Sequence, residues 1–201
     1  MAPWRRQTAR VLPVNPEGRV LLLHGWDPHH PEAPFWFTIG GGAEGGESLP
    51  EAGARELREE TGIVVEPEAL GEPIGHNTVE FSFAGYHIIQ RQTFYAVLVD
   101  SHRVTFDAMD PLERATTDRY AWLSAEDLGP GERPADPDLP ALIRAAAASV
   151  SADSSRCFAP ARSPSAHSGM APTSNDQATT AAFLSSVPIW PLASHNSAQA
   201  A

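Results

Sequence analysis

Six glutamates, Glu44, Glu47, Glu51, Glu56, Glu59 and Glu60, lie between Gly40 and Val64, against two arginines, Arg55 and Arg58. Glu56, Glu59 and Glu60 have the spacing i, i+3, i+4. On a helix of ~3.6 residues per turn, that puts them within an arc of ~100°. Like charges so arranged repel. Near a core they raise one another's pKa unless a cation neutralises them. Hard oxygen ligands of this kind suit a divalent ion, Mg²⁺ or Mn²⁺ above all. Mg²⁺ keeps several waters and takes one or two carboxylates together with substrate phosphates. Arg55, one turn before Glu59, can hold that carboxylate by a forked hydrogen bond. Gly40, Gly41 and Gly42 let the backbone turn tightly and come close to a ligand. A bare E-x-x-E-E would read better as a solvated face with ordinary i,i+4 pairs. The glycines, the capping signals and Arg55 shift the reading toward a site.

The elements that must position these groups follow from local pattern. Ser48 is placed as a helix N-cap, and Glu51 three residues on completes a capping box. Pro50 falls in the first turn, where a missing N–H costs little. The helix is expected to run to Thr61 and to end at Gly62. Leu57, Gly53 and Ala54 share a face that can lie on a sheet, so the carboxylates line its edge. Upstream, "TARVLPV" and "RVLLLHGW" read as strands joined by the turn "NPEG". "DPHHPEAP" (27–34) reads as a loop and "FWFTI" (35–39) as a short strand entering the glycines. Downstream, "IVVE" (63–66), a hairpin of "VEFSF" and "HIIQRQTFYAVLV", and "RYAWLS" (119–124) are expected strands. "DLPALIRAAAASV" (138–150) is an expected second helix, with Leu139, Leu142 and Ile143 on one side.

Composition sets the limits. The chain has 201 residues and a net charge of −11. Beyond Ser151 only Asp153, Arg156, Arg162 and Asp176 are charged, and they cancel, so the acidity belongs to the first 150 residues. Such a surface disfavours nucleic acid and anionic membranes as partners. A phosphate-bearing substrate would need metal ions to approach it. The lone cysteine, Cys157, excludes an intramolecular disulfide and a cysteine-based zinc cluster. The N-terminal stretch makes a poor signal peptide and no apolar run reaches membrane-spanning length, so a soluble cytoplasmic protein is expected. Residues 1–150 are expected to form one domain. Residues 151–201, dominated by Ser, Ala, Pro, Thr and Asn, are expected to be a disordered tail. Its apolar patch, Ala181 to Ala193, reads as part of a mobile segment.

The glutamate stretch resembles the signature of the Nudix hydrolases, G-x5-E-x7-R-E-U-x-E-E-x-G-U, where U is a bulky aliphatic. Gly41, Glu47, Arg55, Glu56, Leu57, Glu59, Glu60, Gly62 and Ile63 fill its positions at the right spacing. The "W-x-x-x-G-G" approach and "RYAWLSAEDL" also look like the family, so the resemblance covers most of residues 5–150. One departure is that Ile39 and Gly40 stand where many members have proline before the glycine pair. The resemblance implies an α/β/α sandwich with a mixed β-sheet and the motif as loop–helix–loop. It implies Mg²⁺-dependent hydrolysis of a diphosphate linkage in a nucleoside diphosphate joined to another group, and it allows a homodimer. By position, Glu56, Glu59 and Glu60 would be metal ligands, with the backbone carbonyl at Gly41. Arg55 would orient Glu59, and Glu47 would support the metal shell. The general base would be a box glutamate or a loop acid, for which Glu113 is the candidate and Glu80 a weaker one.

Substrate clues are sparse. Phe35, Trp36, Phe81, Tyr86 and Phe94 could stack on a base, but strand aromatics are more often core. His29 and His30 could overhang the site, although surface histidines are commoner. Thr78 occupies the place of the proline expected in ADP-ribose hydrolases, and the marker motifs of NADH and coenzyme A hydrolases are absent. Nucleoside triphosphates, nucleotide sugars and dinucleoside polyphosphates stay open. A non-catalytic nucleotide-binding sensor of the same fold is the alternative, although sensors usually lose box glutamates. An isopentenyl-diphosphate isomerase would need a catalytic cysteine, and Cys157 lies in the tail.

Overall fold

Side chains alternate along strand β1 (Trp4–Val14), and this alternation divides the fold into two layers. Ala9 and Val11 enter one hydrophobic cluster, whereas Leu12 and Val14 enter another on the opposite face. β2 (Val20–Asp27) repeats the division, with Leu21 and Leu23 on the first side and Val20 and Leu22 on the second. The remaining strands are β3 (His30–Phe37), β4 (Gly75–Phe83), β5 (Tyr86–Leu98) and β6 (Thr117–Leu123). Helix α1 (Leu49–Thr61) covers the first face through Ala52 and Leu57, and α3 (Leu139–Ala152) covers the second through Leu139, Ile143 and Ala146. A short helix α2 (Pro111–Thr116) precedes β6. The computed structural model describes residues 3–83, 86–100, 103–129 and 131–152; the side chains of 81–86 fall outside that description. The expected tail from 153 onward, with Cys157, also lies outside the described residues. No helix among the described residues is long and apolar enough to cross a membrane.

The sheet is mixed, in the order β3-β2-β1-β5-β4, with β6 on β2. β1 and β5 run parallel from Trp4↔Ile88 to Val14↔Leu98. β1 and β2 are paired at Val14↔Val20, beside their turn, and β2 goes on to pair with β3 and β6. The edge of β1 that faces β2 is thus met by the glycine segment. Val11 N–H donates to Ile39 O at 2.8 Å, Ala9 N–H to Gly41 O at 3.0 Å, and Ala43 N–H to Gln7 O at 3.2 Å. Backbone hydrogen bonds therefore fix the loop that leads into α1.

The structure changes several expected boundaries. The segment 27–34 is not a loop throughout, because β3 starts at His30. Asp27 turns the chain, its side chain accepting from His29 N–H at 2.8 Å. Pro31 and Pro34 are tolerated because β3 heads the order as an edge strand. β3 ends at Phe37, so Ile39 is joined to Val11 by an isolated bridge instead. "IVVE" forms no strand. Ile63 enters the α1-side core, Val64 is 69% exposed, and Pro67 opens a 3-10 turn to Leu70. Apolar residues there serve packing without a partner ladder. Glu113, expected on a loop, lies on the short helix α2, which Asp110 caps and Pro111 opens.

Candidate functional site

Helix α1 forms as its capping signals require. Ser48 accepts from Glu51 N–H, Glu51 answers with a bond from Ser48 N–H at 2.8 Å, and Gly62 closes the helix in the left-handed region at φ 74°. Gly53 lets the helix sit tightly on the sheet, since a Cβ there would stand 2.9 Å from Leu70 Cδ1 and 3.1 Å from Val11 Cγ2. This approach buries the inner carboxylates: Glu56 is 8% exposed and Glu60 5%. Glu59, on the rim, is half-buried.

Arg55 ties the site together. Its Nε and Nη2 grip Glu47 at 3.0 and 3.1 Å, so the forked bond goes to Glu47 and not to Glu59 as expected. Nη1 donates to Glu56 Oε1 at 2.9 Å and to Glu59 Oε2 at 3.1 Å, and Nη2 also reaches Gly42 O at 2.9 Å. The reason is geometric: Glu47 precedes the helix and presents both oxygens, whereas Glu59, one turn away, reaches only Nη1, which it shares with Glu56. Partial burial alone would raise the Glu47 pKa, but hydrogen bonds from Arg55 and the Glu44 N–H bring it below the ordinary value. Arg55 loses some basicity to burial and regains more from Glu47 and Glu56, so it stays charged.

The glycine segment closes against the same carboxylates. A Cβ on Gly41 would lie 2.3 Å from Glu56 Oε1, so a side chain at this position would collide with the site. Gly40 N–H donates to Glu60 Oε2 at 3.1 Å. The Gly41 carbonyl accepts from Ala9 N–H and retains a second lone pair.

Electrostatics mark a third acid. Burial raises the pKa of Glu56 and, more strongly, that of Glu60; neighbouring carboxylates add to both. Glu113, on α2, is pushed up to about 8 by burial and by the charges of Glu56 and Asp110. Glu113 thus belongs to the electrostatic cluster. Glu80 does not join it: its carboxylate is exposed and pairs with His87 Nε2 at 2.6 Å. Arg10, absent from the expected site, is 5% exposed and feels Glu60, Glu56 and Glu113. It donates to Gln92 Oε1 at 3.0 Å, to Thr38 O at 3.4 Å and to Gly40 O. Arg6 and Arg10 could have been noticed as cations on one face of the strand, with Thr8 between them.

The expected aromatic contacts divide. Phe35, Trp36 and Phe94 are buried, as the core reading holds, and those of Phe81 and Tyr86 fall outside the described side chains. Phe94 also lines a cleft with Arg10, Phe37, Thr38, Gln92 and Asp136. His29 and His30 are exposed beside Asp27 and Glu32. Among the described residues, no three carboxylate or imidazole groups stand close enough to hold an ion without side-chain movement. The donor set still fits a hard cation. Glu56 and Glu60 are buried acids whose pKa values stay raised beside Arg55 and Arg10, and Glu59, paired with Arg55 and Arg58, stands next to them at the rim.

The model for the NUDIX domain matches residues 4–145. The chain belongs to the Nudix family. The match spans the glycine segment, α1, α2 and the first half of α3. A MutT protein from Methanosarcina mazei Go1 shares this Nudix fold at 25% identity and a TM-score of 0.50, covering 72% of this chain and 94% of its own. A C. elegans Ap4A hydrolase aligns at 17% identity and a TM-score of 0.48, covering 73% and 98%. The E. coli dihydroneopterin triphosphate pyrophosphohydrolase aligns at 22% identity and a TM-score of 0.49, covering 71% and 96%. No curated protein sequence matches the chain. As a Nudix-type enzyme, the protein is a hydrolase acting on phosphorus-containing anhydrides.

Proposed function

We propose that residues 1–150 form a Mg²⁺-dependent diphosphatase that cleaves the diphosphate bond of a nucleoside diphosphate joined to another group. The observation that carries this reading is the Arg55 network: one guanidinium gathers Glu47, Glu56 and Glu59 beside the glycine segment. Glu56, Glu59 and Glu60, with the Gly41 carbonyl, would hold the cation, Mn²⁺ serving in place of Mg²⁺. When bound, the cation neutralises phosphate charge and lowers the pKa of its water.

The chain's own residues prepare the rest. Arg55 restrains Glu56 and Glu59, and Glu47 fixes Arg55 in turn. Gly41 brings backbone against Glu56 where any side chain would block it. Glu113, its pKa raised to about 8, is suited to take a proton from the attacking water at its carboxylate once it is ionised. The cleft at Phe37 and Asp136 offers an aromatic face and an acceptor to the nucleoside side of the substrate.

The test is a substrate panel of nucleoside triphosphates, nucleotide sugars and dinucleoside polyphosphates, with Mg²⁺ or Mn²⁺ and with chelator. Products are identified by chromatography. Cleavage between phosphates that requires the metal supports the reading. Tight nucleotide binding without turnover across the panel would place the chain with non-catalytic sensors instead.

A further inference from the structure

Two arginine–glutamine pairs cross from β1 to β5 on the α3 side of the sheet, and they end differently. Arg10 Nε donates to Gln92 Oε1 at 3.0 Å, and its Nη1 continues to the carbonyls of Thr38 and Gly40. Arg6 Nε donates to Gln90 Oε1, also at 3.0 Å. There the second pair stops. Arg6 Nη1 and Nη2 and Gln90 Nε2 are all buried and have no hydrogen-bond partner. The amide of Gln90 cannot be turned to relieve this, because Arg6 Nε needs an acceptor. Gln90 itself is 0% exposed.

Three neighbouring buried donors without acceptors are costly in a finished core, where polar groups are almost always paired. They are well suited to a ligand that is all acceptor and negatively charged. A guanidinium fork matches phosphate oxygens two at a time, and the amide N–H supplies a further donor. The location fits the same ligand, since Arg10, on the same face of β1, reaches the carbonyls of Thr38 and Gly40 at the glycine segment. The Trp4 ring, half-buried at the outer end of β1, stacks on the Arg6 guanidinium with Cζ 4.8 Å from its centroid.

We propose that Arg6 and Gln90 form a phosphate-binding subsite, opened by rotation of Trp4, that grips substrate phosphate oxygens. This rests on the diphosphatase reading and deepens it by assigning part of substrate binding to the first strand. Arg6 acts here as a binding residue.

Calorimetric titration of inorganic pyrophosphate into the full chain tests the subsite, with and without Mg²⁺, for wild type, Arg6→Gln and Arg6→Lys. Wild type is expected to bind without metal. Arg6→Gln is expected to weaken binding at least ~10-fold, as loss of a charge-assisted fork implies, and Arg6→Lys to weaken it less. Melting temperature separates binding from structure. Two of the three guanidinium nitrogens are buried without partners and cost stability, so Arg6→Gln should melt no lower than wild type. Wild-type affinity for pyrophosphate in Arg6→Gln would overturn the subsite, as would absence of pyrophosphate binding in wild type. So would a variant that loses adenosine or uridine binding while keeping pyrophosphate. The titration needs no turnover, so a failure of hydrolysis would count against the diphosphatase reading and leave this result interpretable.

Discussion

Helices α1 and α3 flank the same sheet at 13 and 14 residues, yet they bury opposite kinds of surface. α3 presents Leu139, Ile143 and Ala146, and its contact with Leu12, Val14, Leu22 and Phe94 is apolar. α1 presents Leu57 and Ala52 to the other face, but it also carries Glu56 and Glu60 inward. Burial of apolar surface is favourable in itself. Burial of carboxylates is not, and a buried acid persists only with partners. Arg55, Arg10 and the Gly40 N–H supply those partners in part, and both pKa values remain raised. The two helices thus bury apolar surface on one side of the sheet and carboxylates on the other.

The largest effect should come from removing charge on α1. Glu56→Gln is expected to lower kcat by a factor of ~10²–10⁴, the range for a positioned catalytic group, while thermal unfolding shows a melting point no lower than wild type. A matched loss of stability would mean that Glu56 is structural. The reverse is expected on α3. Ile143→Ala should cost ~2–5 kcal/mol of stability in urea titration, with kcat retained by the folded fraction. If kcat fell as far as in Glu56→Gln, the division between the helices would fail.

A pH experiment sharpens the contrast without mutation. Glu56, Glu60 and Glu113 have folded-state pKa values above the unfolded value of 4.5, Glu113 at about 8. The native state therefore binds more protons than the unfolded state between these limits, and stability falls as pH rises. Without metal, the melting temperature should drop between pH 5 and pH 8. Mg²⁺ should raise it more at pH 8 than at pH 5. A metal-free melting temperature that climbs over this window would contradict the placement of these acids. The smallest effect should come from the cap: Ser48→Ala should cost ~1 kcal/mol, read by chemical denaturation.

Much of α1 was legible because its signals are local. Capping, the left-handed Gly62 and the arc of glutamates depend on residues within a few positions of each other. The strand at 63–66 failed for the complementary reason: "IVVE" has strand composition, but a strand needs a partner, and sequence pattern does not show which edges are free. The prolines of β3 misled in the same way, because edge position excuses them. Glu113 was identifiable as a loop acid, whereas its coupling to Glu56 depends on how α2 packs. The pairing of Arg10 with Gln92 is not legible in the sequence, since the contact joins positions 82 apart.

The central claim is that α1 carboxylates make this chain a metal-dependent diphosphatase. Its most direct test is hydrolysis by Glu59→Gln of whichever panel substrate the wild type cleaves best, with Mg²⁺ saturating and products resolved by chromatography. The account predicts that phosphate-bond cleavage is nearly lost while circular dichroism and melting remain those of the wild type. Near-normal, metal-dependent turnover in that variant would contradict it.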